Sequence, residues 1–322
     1  MAVPDQLMGR LCRLPLLAVS SVAVCSVAVC SVAGCGAGSG HEPRPGRTVA
    51  LPATEASPGS GPSPGTAVAV SPPPGIGGNP ARLARQLTLA ESVLGQVGPS
   101  PAALARQALT AQLACLRIAL HPGWARRVID RVSPPQRAAA TTDIAATADL
   151  VALTPPDARF PRWRIVPAED LARLRADYRA AQVATGVGWS YLAAINFVET
   201  DFGRIAGPSS AGAQGPMQFL PATWATYGHG DIHRAKDAIL AAARFLADHG
   251  AVGNISSALY AYNPSWRYVD AVLRYARRMR ADPHALLGYY HRQVILRLAR
   301  GWFLLPPGYG INPAVRARRL RI

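Results

Sequence analysis

A single lysine, Lys236, occurs in a chain of 322 residues, and charged side chains make up only 16% of it. The formal net charge is nevertheless +16, so the basicity is almost all arginine, clustered at Arg274 to Arg280 and Arg316 to Arg321. No stacking-aromatic or groove-reading motif accompanies these clusters, which argues against nucleic acid as a partner. Cysteine is scarce beyond the N-terminal stretch: Cys12, Cys25, Cys30 and Cys35 crowd the front and Cys115 stands alone, which leaves no disulfide framework for the rest. Cys115 reads as a small buried hydrophobe. No alternating run of five or more residues argues for a sheet, so a mostly α fold is expected. There is no aspartate-rich loop for calcium. His229 and Asp231, in Tyr227-Gly228-His229-Gly230-Asp231, lack a third ligand and read as turn formers. No metal and no cofactor is expected.

What is present begins with residues 14–34, an uncharged run of apolar and small residues preceded by Arg10 and Arg13. That is the pattern of an export signal. It contains the repeat SVAVC, SVAVC, SVAGC, and its end, Val32-Ala33-Gly34-Cys35, resembles the lipobox of bacterial lipoproteins. Cleavage there would leave Cys35 as an acylated first residue, with residues 1–34 removed. A retained transmembrane anchor is the competing reading, because the run approaches the ~20 residues that span a bilayer. Residues 35–80 are rich in Gly, Pro and Ser and read as a disordered tether.

From Ala81 the pattern turns helical. Leu83, Leu87, Ala90 and Leu94 mark one amphipathic helix, and Pro101 opens another that Pro122 stops; a further pair covers about 124–132 and 135–151. Residues 81–153 thus form a helical extension of unassigned role. After the Pro-rich break at Thr154-Pro155-Pro156, residues 160–280 carry helices expected at 167–185, 235–249, 256–262 and 264–279. Residues 281–322 form a C-terminal extension whose Trp302 to Leu305 patch is expected to pack back on the domain.

The centre of this organisation is Gly188 to Tyr227. Leu192, Ile195 and Glu199 share one helical face, so the acid continues a buried stripe. A carboxyl placed there, near Trp189, Phe197 and Phe202, loses hydration, which favours its protonated form and suits a general acid. The segment from Thr200 to Gly215 is irregular and long enough to wrap over a groove. Pro216 then fits the first turn of a second apolar helix. No second carboxylate recurs in a motif, although glycoside hydrolysis ordinarily needs two.

Glu199-Thr200, then Ser209-Ser210-Ala211-Gly212-Ala213-Gln214-Gly215-Pro216-Met217-Gln218, then Ala261-Tyr262-Asn263, resemble in order and spacing the lytic murein transglycosylases of the goose-lysozyme-like superfamily. The resemblance covers roughly residues 167–279. It implies a lysozyme-like helical domain in which Glu199 is the catalytic acid and base, with Ser209, Ser210, Met217, Gln218, Tyr262 and Asn263 lining a sugar cleft. The implied substrate is the glycan strand of peptidoglycan. Glu199 would protonate the oxygen between N-acetylmuramic acid and N-acetylglucosamine, and its carboxylate would then activate the 6-hydroxyl of the muramic acid, closing a 1,6-anhydro ring. An internal nucleophile needs no second acid. Pro264-Ser265 follow Asn263 where relatives carry Ala-Gly, so Asn263 is also a candidate N-cap. With the lipobox, the expected location is the cell envelope, lipid-anchored at the outer face of the cytoplasmic membrane, and a monomer is expected. Two alternatives stay open: a goose-type lysozyme-like hydrolase recruiting Asp231 or Asp237, and a non-catalytic wall-binding lipoprotein.

Overall fold

Proline and a short polar side chain start most of the N-terminal helices of this computed structural model, which describes residues 73–322. Cys35 and the leader, with most of the tether, lie outside the described residues. Asn79 Oδ1 accepts from Arg82 N at 3.0 Å and Pro80 takes the first turn of α1 (Pro80–Leu94). Ser100 and Pro101 open α2 (Pro101–Ala119) in the same way. The short α3 (Ala125–Ile129) and long α4 (Pro134–Leu153) follow. A two-residue strand β1 (Arg164–Ile165) leads to α5 (Leu171–Thr185). The last of these begins later than the Pro167 expected, because Asp170 Oδ1 accepts from both Ala172 N and Arg173 N and fixes the start.

The site-bearing helix α6 (Trp189–Thr200) is followed by β2 (Ile205–Ala206), which pairs antiparallel with β1, and then by α7 (Pro221–Tyr227), α8 (Ala235–Asp248), α9 (Ile255–Tyr262), α10 (Trp266–Ala281) and α11 (Ala285–Tyr290). The chain closes with β3 (Val294–Leu298), β4 (Gly301–Leu305) and β5 (Arg318–Arg319) in one antiparallel sheet. The architecture is mostly helical. Among the described residues no helix is long and apolar enough to cross a membrane.

Helix α6 is buried on most of its sides, with apolar residues around it and Ser190, Asn196, Glu199 and Thr200 buried among them. Leu192, Ala193, Ala194 and Ile195 are wholly buried in a core shared with α5, α8, α9 and α10. Helix α4 lies along α10, and a second core formed by α1, α2, α3 and α4 holds Cys115, whose thiol burial pushes its pKa well up.

Buried charge joins this second core to the first. Arg278 of α10 bonds Glu91 of α1 and lies 2.8 Å from Asp143 of α4, which also binds Arg292 and accepts from the Tyr289 hydroxyl at 2.6 Å. Burial alone would raise Asp143, but the two guanidiniums overcome it and hold its carboxyl below the usual carboxylate range. Glu91 goes the other way: burial dominates over Arg278 and raises it. Asp143 takes the larger share of the two arginines, so the opposite directions agree with the geometry. The cluster Arg274 to Arg280 is therefore not a uniform solvated face, since Arg278 is interior.

The β3–β4 hairpin is a correction to the sequence reading. Val294, Leu296, Leu298, Phe303 and Leu305 face Trp163, Ile165 and Ile205, whereas Ile295 and Leu304 face Leu109, Leu113 and Leu116 of α2. With both faces covered, the strand has no polar side to alternate with, and the period-2 signal vanishes.

Candidate active site

Glu199 occupies the last turn of α6 and is 0% exposed. The hydroxyl of Tyr268, on α10, donates to Glu199 Oε1 at 2.9 Å. Burial first, and the charge of Glu199 second, raise both Tyr268 and Tyr262 well above an ordinary phenol, so each stays a protonated donor at neutral pH. Tyr268 is the site residue that the sequence reading missed. It sits 69 positions from Glu199 inside an amphipathic run, Trp266 to Met279, where an aromatic at helical spacing reads as core.

The chain leaves α6 abruptly. Asp201, Phe202 and Gly203 have φ of +53°, +63° and +82°, and Phe202 N donates back to Asn196 O at 3.1 Å, closing the helix end. Two consecutive non-glycine residues in the left-handed region carry a strain of about 1–3 kcal/mol each, which the surrounding core sustains.

The loop beyond is tied to α6 through the Pro216 carbonyl, which accepts from Thr200 Oγ1 at 2.6 Å and Asn196 Nδ2 at 2.9 Å; Tyr178 in turn donates to Asn196 Oδ1 at 2.6 Å. Tyr262, from α9, donates its hydroxyl to the next carbonyl, Met217 O. Pro216 does not open a helix, contrary to expectation. Gly215 and Gln218 have φ of +73° and +51°, Gln214 and Phe219 bond each other across the turn, and helix α7 waits for Pro221. Gly215 is required there, since a Cβ would lie 1.9 Å from the Ile232 carbonyl oxygen.

The structure gathers most of the candidate residues around this closure. Met217, Gln218, Tyr262 and Asn263 are buried, and Gln218 Nε2 donates to Gly215 O at 2.9 Å. Ser209 organises the loop: its Oγ accepts from Ala211 N at 3.2 Å and Ala213 N at 3.0 Å. Ser210 is exposed. Asn263 is not an N-cap; it caps the C-terminal end of α9, and Ser265 precedes α10. Asp231 and Asp237 are engaged in the turn that opens α8, with Asp231 N donating to Asp237 Oδ2 at 3.1 Å and His233 N to Asp231 Oδ1 at 2.9 Å. Among the described residues no group of three or more His, Cys, Asp or Glu could hold a metal ion.

An open groove of about 630 Å³ lies against Gln214, Gly215 and Pro216 of the loop, with Arg164, Glu169, His233 and Arg234 on its walls. Asp201, two residues beyond Glu199, points instead toward a separate cavity between α4, α6 and the hairpin. Burial raises its carboxyl to about 7, against the opposing pull of Arg204 and Arg292.

No family model matches this chain, and no solved structure does. The chain is similar to membrane-bound lytic murein transglycosylase F of Thiobacillus denitrificans, with 29% identity over 148 residues. The match covers 44% of this chain and spans about a third (31%) of that relative's length.

Proposed function

We propose that the protein is a peptidoglycan lytic transglycosylase of lysozyme-like fold, with Glu199 as its general acid and then its base. The observation that carries this reading is the carboxyl at the buried end of α6, held by the Tyr268 hydroxyl and bordered by the turn that Pro216 and Met217 anchor. Similarity to a relative named for the same activity supports it.

In this reading Glu199 gives its proton to the glycosidic oxygen as the bond to the muramic acid breaks. The resulting carboxylate takes the proton of that sugar's 6-hydroxyl while its oxygen closes onto the anomeric carbon. Tyr268 favours the carboxylate in the second step, because a donor 2.9 Å away stabilises charge on Oε1. The ring closure is intramolecular, so a second carboxylate is unnecessary. Asp231 and Asp237 are both committed to backbone amides of a turn, which weighs against a hydrolase that draws one of them in as a partner.

Glu199 is fully covered here, so a glycan can reach it only when its cover parts. We assign that movement to the loop from Ser209 to Gln218, which is tied to the end of α6 through the Pro216 carbonyl and to Tyr262 through the Met217 carbonyl. The groove lined by Arg164, Glu169 and Arg234 lies against the loop, and the two arginines suit the peptide carboxylates of the wall. A lipid anchor at Cys35, with residues 35–80 as tether, would hold the enzyme at the outer face of the cytoplasmic membrane as a monomer.

Digestion of purified peptidoglycan followed by mass analysis of the released muropeptides tests the reading. Products one water lighter than the reducing-end species support a transglycosylase. Reducing ends indicate a lysozyme-like hydrolase, and no release indicates a wall binder.

A further inference from the structure

Behind α6, away from the loop that borders Glu199, a cavity of about 120 Å³ separates the N-terminal helices from the catalytic helix and the hairpin. Its walls are apolar, from Leu150 and Val151 of α4, Phe197 and Val198 of α6, and Ile295 and Trp302 of the hairpin. Gln112, Thr147, Thr154, Asp201, Arg292 and Gln293 interrupt them, and three side-chain oxygens of this set stand out. Both carboxylate oxygens of Asp201 and the side-chain oxygen of Gln293 are buried without a hydrogen-bond partner. Asp201 is 8% exposed, and its nearest cation, Arg204 Nη1, stands 4.0 Å away, beyond hydrogen-bond range. That guanidinium is occupied elsewhere, donating to Asp201 O and Tyr290 O. Arg292 is taken by Asp143. Gln293 is itself fixed, by reciprocal bonds between its backbone and the Gln112 amide at 2.8 and 3.1 Å.

Buried acceptors left unmatched cost about 1–3 kcal/mol each, and more when charged. Three of them around one apolar space are an unfavourable arrangement for folding alone, but they complement a guest that brings donors. The size is also that of a guest, since a dry apolar cavity of about 150 Å³ accommodates benzene. We propose that this cavity binds a small apolar molecule, about one aromatic ring in bulk, bearing a hydroxyl or amine that donates to Asp201 and Gln293. Nothing in this depends on the chemistry at Glu199.

Three probes of one shape separate the possibilities: benzyl alcohol, benzylamine and toluene, titrated into the full chain while the thermal midpoint is followed. At pH 8, where the Asp201 carboxyl is largely ionised, one or both donor-bearing probes bind at least about tenfold more tightly than toluene, as a hydrogen bond to a charged acceptor implies. The alcohol alone, or the amine alone, identifies which head group the site takes. Asp201→Asn keeps the left-handed backbone that asparagine tolerates, and it removes the preference for the amine or weakens the alcohol. Val151→Phe fills the cavity and abolishes binding of all three. Equal binding of toluene and the donor probes, no shift with any probe, unchanged selectivity in Asp201→Asn, or binding that survives Val151→Phe each overturns the proposal.

Discussion

Replacing Tyr268 by phenylalanine removes one oxygen atom and leaves the ring in a core position that is 0% exposed. The atom lost is the donor 2.9 Å from Glu199 Oε1. A hydrogen bond to a charged group is worth about 1.5–3 kcal/mol. If Glu199 is ionised in the step that closes the anhydro ring, that energy is missing from the transition state, and kcat falls by about 10- to 150-fold. Losing a donor to the carboxylate also disfavours its ionised form. The alkaline limb of the kcat/KM profile, where the general acid loses its proton, therefore moves to higher pH. The assay is muropeptide release against pH for wild type and Tyr268→Phe, beside their thermal midpoints. A lower midpoint with unchanged kcat and an unshifted limb would refute the reasoning, because it would make Tyr268 a packing residue only.

Two further outcomes follow from the structure and a third from the lipobox-like sequence before Cys35. Asp143→Asn leaves Arg278 and Arg292 buried with only Glu91 between them and destabilises the protein by about 3–5 kcal/mol; denaturant unfolding measures it, and a change below about 1 kcal/mol would contradict the network. Asp201, raised to about 7, binds its proton more tightly folded than unfolded, so stability present below about pH 4 is lost as pH rises through 7. That slope amounts to a few kcal/mol and flattens in Asp201→Asn, which urea midpoints between pH 4 and 8 will show. The proposed lipid anchor requires that Cys35→Ala abolish acylation and membrane association, read by labelled-lipid incorporation and fractionation; unchanged association points to a retained transmembrane anchor.

Local signals in the sequence located much of the helical framework. Pro101 and the apolar spacing from Leu83 to Leu94 mark a helix start and a helix face that depend on nothing distant. What the sequence hid depended on partners far along the chain. The Tyr268–Glu199 bond spans 69 positions and the Arg278–Glu91 bond 187, and neither has a local signature. The interior place of Arg278 within the arginine run at 274–280 was hidden, because composition does not reveal that Glu91 and Asp143 await it. Pro216 looked like a helix opener because proline suits a first turn equally well as a tight loop. The left-handed backbone at Gly215 and Gln218, with Ile232 packed against Gly215, makes it a turn here.

The rate of anhydromuropeptide release by Glu199→Gln, a substitution that preserves size and removes the transferable proton, tests the central claim most directly. Release falls by about a hundred- to ten-thousandfold while circular dichroism shows the fold intact. Release at the wild-type rate by a folded Glu199→Gln protein would contradict that claim.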